Sequence, residues 1–262
     1  MEAHRSLKER EIIGIIPARY GSTRFPGKPL ADLGGMPVIQ HVYQRVSKSV
    51  LLSKVVVATD DERIYDCVHG FGGSAVMTPE SCQSGTDRAA HAAEGTQADI
   101  IINIQGDEPF IEPDAVDLAG RILLENHQAR MGTLIAPLKD TESLMNDHIA
   151  KVIVNGKNEA VYFSRHPIPF LRDHKTEDWI RHFPFFRHVG IYSYTKEFLL
   201  EFSRWGPCPL EEAERLEQLR ALYHGIAIHT AMTAYDGLGI DIPSDLERAR
   251  TTLISRHSER TR

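Results

Sequence analysis

An α/β fold, a mostly parallel sheet wound with crossover helices, is the class this sequence predicts, and two observations carry the prediction. Short apolar runs of buried type recur at Ile12–Pro17, Val55–Thr59, Ser74–Met77, Ile100–Ile104 and Thr133–Pro137. Strands that are apolar on both faces belong to parallel sheets. Amphipathic segments fill the gaps between these runs, the alternation that a βαβ succession requires. The plan is Rossmann-like, with helices on both faces of the sheet.

Each helix carries its own signal. From Pro37 to about Val46, residues Val38, Ile39, Val42 and Val46 recur at helical spacing. Asp61 caps a helix bearing Ile64, Tyr65 and Val68, and Pro113 opens one that runs to about Asn126 with Val116, Leu118, Ile122 and Leu123. Gly70, Gly72 and Gly73 resemble a fragment of a dinucleotide fingerprint, but they end a helix instead of opening one.

After about Ala150 the pattern changes. Lys151–Val154 and Ala160–Ser164 read as strands joined at Asn155-Gly156, a hairpin signal. A Pro- and aromatic-rich stretch from His166 to Arg187 precedes an extended run His188–Tyr194, a helix near Lys196–Ser203 and a charged helix from about Leu210 to Tyr223. These elements form a second lobe. The chain then returns to the sheet through a strand at Ile226–Thr233 and a terminal helix Pro243–Ile254, capped by Asp241 or a neighbour.

Composition narrows the function. With 262 residues, 42% hydrophobic and 25% charged, the chain has ample apolar material for a core. Its net charge of −6 argues against a general nucleic-acid binder, so its basic residues serve locally. Cys67, Cys82 and Cys208 are odd in number and scattered, which suggests free thiols in a reducing compartment. Met1–Glu11 lacks an apolar signal core, and no window approaches the ~18 apolar residues of a membrane span, so a cytoplasmic protein without membrane partners is expected.

The first apolar run leads into Ala18-Arg19-Tyr20-Gly21-Ser22-Thr23-Arg24-Phe25-Pro26-Gly27-Lys28-Pro29-Leu30. Loops at the C-terminal ends of parallel strands are where ligands bind, and glycines let main-chain N–H groups approach an anion. Arg19, Arg24 and Lys28 would neutralise a polyphosphate. The segment fails the P-loop template, because Gly21 and Gly27 enclose five residues instead of four and Pro29 stands where a hydroxyl should meet Mg²⁺. A solvated basic turn is the alternative, and three cations stiffened by Pro26 and Pro29 weigh against it.

Three further segments carry chemistry. Asn103-Ile104-Gln105-Gly106-Asp107-Glu108-Pro109 sends two carboxylates from a strand end, and hard oxygen ligands such as Asp107 suit Mg²⁺. An acidic turn tip is the alternative. Gly239-Ile240-Asp241-Ile242-Pro243 presents Asp241 just before a helix, either as a ligand or as an N-cap. Gln83-Ser84-Gly85-Thr86-Asp87-Arg88 opens a helix, either to offer N–H groups to a ligand or as a capping turn made by Ser84 or Thr86.

Together these segments closely resemble the 3-deoxy-D-manno-octulosonate (KDO) cytidylyltransferase family, over nearly the whole chain after the first dozen residues. Eight motifs in the family's order carry the likeness: IPARYGSTRFPGKPL, VVVATDD, QSGTDR, NIQGDEPFI, YFSRHPIPF, RHVGIYSY, PLEEAERLEQLRAL and GIDIPSDLERAR. The resemblance implies a nucleotidyltransferase of Rossmann-like fold. It would be a single domain, 1–262, with a nucleotide-binding part at 12–150 and 225–262 and an inserted sugar-binding and dimerisation lobe at about 151–224. It implies a Mg²⁺-dependent enzyme joining the anomeric hydroxyl of KDO to the α-phosphate of CTP for lipopolysaccharide assembly, and a homodimer.

By the same resemblance, Arg19, Ser22, Thr23, Arg24 and Lys28 would hold the triphosphate. Ser84, Gly85 and Arg88 would lie near the nucleotide, with Gln105 between nucleotide and sugar. Asp107 and Asp241 would be the metal ligands, forming the catalytic set with Arg19 and Lys28. Arg165, His188, Tyr192, Glu217 and Gln218 match the family's sugar positions. An Arg suits the carboxylate of KDO, while Tyr192, Glu217 and Gln218 suit its hydroxyls. The chain departs from the family pattern at Pro79 and Cys82, where a basic residue and a His are common, which leaves main-chain contacts from this loop to the nucleotide.

Rival readings remain at this point: the same chemistry on 8-amino-KDO or a sialic acid, and a non-catalytic nucleotide-binding homologue. The FPGKPL loop argues against the sialic-acid branch, and the joint presence of Lys28, Asp107 and Asp241 against lost chemistry. A glycosyltransferase would show an Asp-x-Asp motif after an apolar strand, and none stands here.

Overall fold

The computed structural model describes residues 10–21, 24–237 and 239–260, the last five of these by backbone only. In chain order the elements are β1 (Ile12–Ala18), β2 (Asp32–Leu33), β3 (Met36–Pro37), α1 (Val38–Val46), β4 (Lys54–Thr59), α2 (Glu62–Gly70), β5 (Ala75–Met77), α3 (Gly85–Glu94), β6 (Ile100–Asn103), α4 (Pro113–Glu125) and β7 (Met131–Pro137). Then come α5 (Thr141–Met145), β8 (Lys151–Val154), β9 (Ala160–Ser164), α6 (Trp179–His182), β10 (Phe186–Thr195), α7 (Lys196–Phe202), α8 (Pro209–Glu214), α9 (Leu219–Tyr223), β11 (Ile228–Met232) and α10 (Pro243–Arg260). The chain divides into two compact units, Glu11–Asp117 with 237–260 and Leu118–Asp236 with Arg10, among the described residues. The second unit takes in β7 and β11 and so extends beyond the 151–224 of the sequence reading.

In the first unit β1 runs parallel to both β4 and β6, and β4 runs parallel to β5, giving the order β6-β1-β4-β5. Successive residues of β1 and β6 point to opposite faces, yet nearly all are buried, so both faces of this sheet are covered. The fully buried Val38, Ile39, Val42 and Val46 of α1 supply the apolar stripe the spacing predicts. In α3 the buried face is Ala89, Ala90 and Ala93, small enough for the helix to sit close against β1. Asp61 caps α2 by accepting the Arg63 N–H at 3.0 Å.

A cluster of Leu33, Val38, Phe110, Ile240, Leu246 and Ala249 docks the C-terminal segment onto this unit. Burying Ile240 completely contributes about 2 kcal/mol and fixes the residue beside Asp241.

The second unit is built on β7, which pairs antiparallel with β10 and parallel with β11; β8 pairs antiparallel with both β10 and β9. The hairpin forms where the Asn155-Gly156 signal lies, by a different turn. Five residues connect the strands, with bonds from Asn155 N–H to Glu159 C=O and from Asn158 N–H to Asn155 C=O, and the left-handed residue is Asn158, at φ 59°. Asn tolerates that conformation through its short polar side chain.

The charged helix expected from Leu210 to Tyr223 is two helices. Arg215 adopts φ 54° and ends α8 after Glu214, and α9 restarts at Leu219. Helical periodicity in the side chains continues across this break, which is why it is invisible to pattern.

Candidate active site

The cleft of the first unit has a volume of about 240 Å³ and is walled by Arg19, Arg24, Lys28, Ser84, Gly85, Arg88, Gln105, Gly106, Asp107 and Asp241, with Pro17 and Cys82 among its other residues. Four chain segments that are far apart in sequence meet here, the loops after β1 and β6, the start of α3 and the stretch before α10. Gly106 is the close-packing point: a Cβ on it would lie 2.8 Å from the Pro17 carbonyl oxygen, so only glycine lets the loop after β6 pass against the end of β1. Gly27, at φ +71° beneath the Tyr20 ring, closes the basic loop with a 2.9 Å bond from its N–H to the Tyr20 carbonyl, and Lys28 follows at once.

The Ile240 N–H donates to the Asp107 carbonyl at 2.9 Å, tying the two acidic loops together. Lys28 Nζ donates to Asp107 Oδ2 at 2.5 Å and lies 3.7 Å from Asp241 Oδ1, while Arg24 donates to Asp241 Oδ1 at 3.0 Å. One ammonium thus stands within 3.7 Å of both carboxylates. The convergence of Asp107 and Asp241, which no periodicity reveals, follows from the docked C-terminal segment.

Asp241 does not serve as the N-cap of α10. Asp245 does the capping: its Oδ2 accepts the N–H groups of Asp241 and Ile242 at 3.0 and 3.1 Å, leaving the Asp241 carboxylate to the cations.

Ser84 makes a capping box with Asp87 at the start of α3. Arg88, 2% exposed, spends its guanidinium on Thr78 Oγ1 and, at 2.6 Å, on Asp60 Oδ2, both at the ends of neighbouring strands. Asp60 and Thr78 were missed as anchors of Arg88; the VVVATDD run placed Asp60 at a strand end but gave it no partner. Ser22 and Thr23 lie outside the described residues, as do Met1–Glu9 and Leu238.

The remaining predicted residues gather in the second unit. His188 Nε2 is 2.9 Å from Thr133 Oγ1, and its ring packs edge-on against Phe163 and beside Tyr192, with centroids 5.2 Å apart in each case. The Thr133 hydroxyl also lies 2.9 Å from the Ile191 carbonyl, which can only accept, so Thr133 donates there and accepts from His188 Nε2–H. His188 Nδ1 is left as an acceptor. Burial, aided by the neighbouring Arg187 cation, pushes the His188 pKa down to about 3, and burial next to Glu217 raises the Tyr192 phenol well above its usual range. Both side chains are therefore neutral at pH 7.

Gln218 is 3% exposed and its Nε2 has no partner among the described residues. Arg165 donates to three main-chain carbonyls: from Nε to that of Glu214 at 2.7 Å, from Nη1 to that of Asp147 at 3.0 Å and from Nη2 to that of Arg215 at 3.3 Å. Up to two of its five guanidinium N–H donors remain for a carboxylate.

The His188 shift has a measurable consequence. The unfolded chain protonates this imidazole near its ordinary pKa of 6.5, while the folded chain resists until about pH 3. Below 6.5 the unfolded state therefore binds the extra proton, and stability falls as pH falls, by up to about 1.4 kcal/mol per pH unit from this group. Urea unfolding of the parent and His188→Gln between pH 6.5 and 4 is expected to show a shallower loss in the variant; equal slopes would remove His188 as the source.

A protein-family model described as cytidylyltransferase matches residues 13–228. The 3-deoxy-manno-octulosonate cytidylyltransferase of Geobacter sulfurreducens is 47% identical over 242 residues, covering 90% of this chain and 97% of that protein. The chain belongs to the 3-deoxy-manno-octulosonate cytidylyltransferase family. The relative of the same name from Solibacter usitatus is 46% identical over 91% of this chain and 93% of its own. Among solved structures, CMP:2-keto-3-deoxy-manno-octonic acid synthetase complexed with CTP matches with a TM-score of 0.88 at 39% identity, over 94% of this chain and 99% of that one. A putative glucose-1-phosphate thymidylyltransferase from Bacillus anthracis matches at 0.62 and 16% identity over 92% of this chain and 94% of its own, a likeness of fold alone. Family membership thus accords with the nucleotidyltransferase fold expected from the sequence. No helix among the described residues is long and apolar enough to cross a membrane.

Proposed function

We propose that this chain transfers CMP from CTP to the anomeric hydroxyl of KDO, forming CMP-KDO and pyrophosphate. The observation that carries the reading is the cleft in which Lys28 meets both Asp107 and Asp241 in a chain of this family. The sugar hydroxyl oxygen bonds to the α-phosphorus as the bond to the pyrophosphate oxygen breaks, with no covalent enzyme intermediate.

Arg19, Arg24 and Lys28, with the hydroxyls of Ser22 and Thr23, would neutralise and align the triphosphate. Ser84, Gly85 and Arg88 border the nucleoside, and Gln105 is assigned to the junction of nucleotide and sugar. His188 would accept a sugar hydroxyl at Nδ1, Tyr192 would donate from its neutral phenol, Glu217 and Gln218 would read further hydroxyls, and Arg165 the carboxylate.

Asp107 and Asp241 fit Mg²⁺. Among the described residues no group of three His, Cys, Asp or Glu forms a denser cage, and Mg²⁺ asks only for one or two carboxylates beside phosphates and water. The ammonium between the pair already marks a cation position. When bound, the metal would add charge neutralisation at the reacting phosphate.

Incubating the protein with CTP, Mg²⁺ and KDO is expected to release pyrophosphate in step with CMP-KDO, and kcat/KM is expected to be higher for KDO than for 8-amino-KDO or a sialic acid. No release above a control lacking sugar would overturn the reading. We further assign the protein to the cytoplasm and to lipopolysaccharide assembly, as a homodimer joined through its second lobe; light scattering reads the mass directly.

A further inference from the structure

The Glu214 carboxylate lies outside every role given so far, yet it joins the two segments that bear Arg165 and Glu217-Gln218. Its Oε1 accepts from Ser164 Oγ at 2.7 Å and its Oε2 from the Arg165 N–H at 2.9 Å. Its own carbonyl, at the C-terminal end of α8, takes the Arg165 Nε–H at 2.7 Å. The next residue, Arg215, holds the left-handed conformation that ends the helix, and its carbonyl accepts from Arg165 Nη2 at 3.3 Å.

Main chain and side chain of Glu214 therefore fix two things at once: the guanidinium plane of Arg165 and the turn from which Glu217 and Gln218 project. The bidentate pair of Arg220 with Glu211 at 2.7 and 2.6 Å ties α9 to α8 without using Glu214 and would survive its loss. Ser164 is 3% exposed, so this end of the junction is shielded and its charge-assisted bonds are worth more than surface ones. The unpartnered Gln218 Nε2 in this neighbourhood is a buried donor awaiting an acceptor.

We propose that Glu214 is a positioning residue for recognition of the acid sugar, acting through Arg165 and the 215–218 turn without touching the sugar itself. The proposal rests on the assignment of these residues to the sugar given above. Loss of the carboxylate unties the Ser164–Arg165 main chain from the end of α8, and the carbonyls of Glu214 and Arg215 that hold the Arg165 fork shift with the relaxing turn, so sugar affinity falls while the nucleotide cleft, built wholly from the other unit, is untouched.

The test measures KM for KDO and for CTP, with kcat and Tm, in the parent, Glu214→Gln, Ser164→Ala and the exposed control Glu212→Gln. Glu214→Gln is expected to raise KM for KDO about tenfold or more, as loss of a hydrogen bond to a charged group does, with KM for CTP within about twofold. Ser164→Ala, which removes one of the two bonds and keeps the charge, is expected to give a smaller rise of the same kind, and Glu212→Gln none. Unchanged KM for KDO in Glu214→Gln, or a parallel rise for both substrates that tracks Tm, would overturn the proposal. A parent enzyme inactive on KDO would instead remove the reading of function beneath it.

Discussion

Asp107→Asn is expected to lower CMP transfer by at least about a hundred- to a thousandfold while leaving the fold in place, the scale of losing one preorganised electrostatic contact to a transition state. The side chain keeps its shape and loses its charge. An amide oxygen is a poor ligand for a hard divalent cation, and an amide nitrogen turned toward Lys28 would set donor against donor. The main chain of the loop stays tied, because the Ile240 N–H bonds to the Asp107 carbonyl and not to its side chain, and Gly106 still packs against Pro17. Asp107 is therefore separable from folding. Steady-state pyrophosphate release together with Tm reads both halves of the expectation: a variant with parental kcat removes Asp107 from the chemistry, and one that has lost its cooperative melt speaks only of folding.

The sheet of the first unit was legible because its signals are local. Four apolar runs were long enough to stand out, and α1, α2 and α4 each began at or directly after the residue whose chemistry announced it. The charged helix of the second lobe was misjudged for the opposite reason. Its break at Arg215 is imposed by Arg165, fifty residues earlier, whose guanidinium satisfies the carbonyls of Glu214 and Arg215. The hairpin turn shows the same limit on a smaller scale: the Asn-Gly pair marked the place, while the left-handed position went to Asn158, whose own carbonyl receives the Thr230 N–H at 2.7 Å.

In the site, residue types pointed to chemistry and geometry supplied the pairing. Lys28, Asp107 and Asp241 were each chosen from strand-end position and charge, but their convergence depends on the burial of Ile240, Leu246 and Ala249, which no motif spells out. Asp241 was ambiguous between ligand and cap until Asp245 proved to hold the helix start. Partners of partners were beyond reach altogether. Thr133 sets the His188 tautomer from within β7 and Asp60 orients Arg88 from just past β4, and no spacing in the sequence links either residue to its partner.

Lys28→Met carries the other large effect. The methionine keeps length and apolar stem but removes the charge proposed to meet the triphosphate, and kcat/KM for CTP is expected to fall by about a hundred- to a thousandfold. Lys28→Arg is not expected to rescue it, because a planar fork cannot occupy the point between two carboxylates that a compact ammonium fills at 2.5 and 3.7 Å. The same geometry separates a metal effect from a catalytic one. In the nucleotide-free parent the ammonium already satisfies Asp107 and competes with any divalent ion for it; in Lys28→Met the carboxylates lose their shared counter-charge and repel. Added Mg²⁺ binds the folded state alone and so raises Tm, and the rise is expected to be larger in the variant than in the parent. Equal Mg²⁺-dependent shifts would mean that Lys28 and the metal do not share Asp107 and Asp241, and kcat/KM for CTP within twofold of the parent would take Lys28 out of the triphosphate grip.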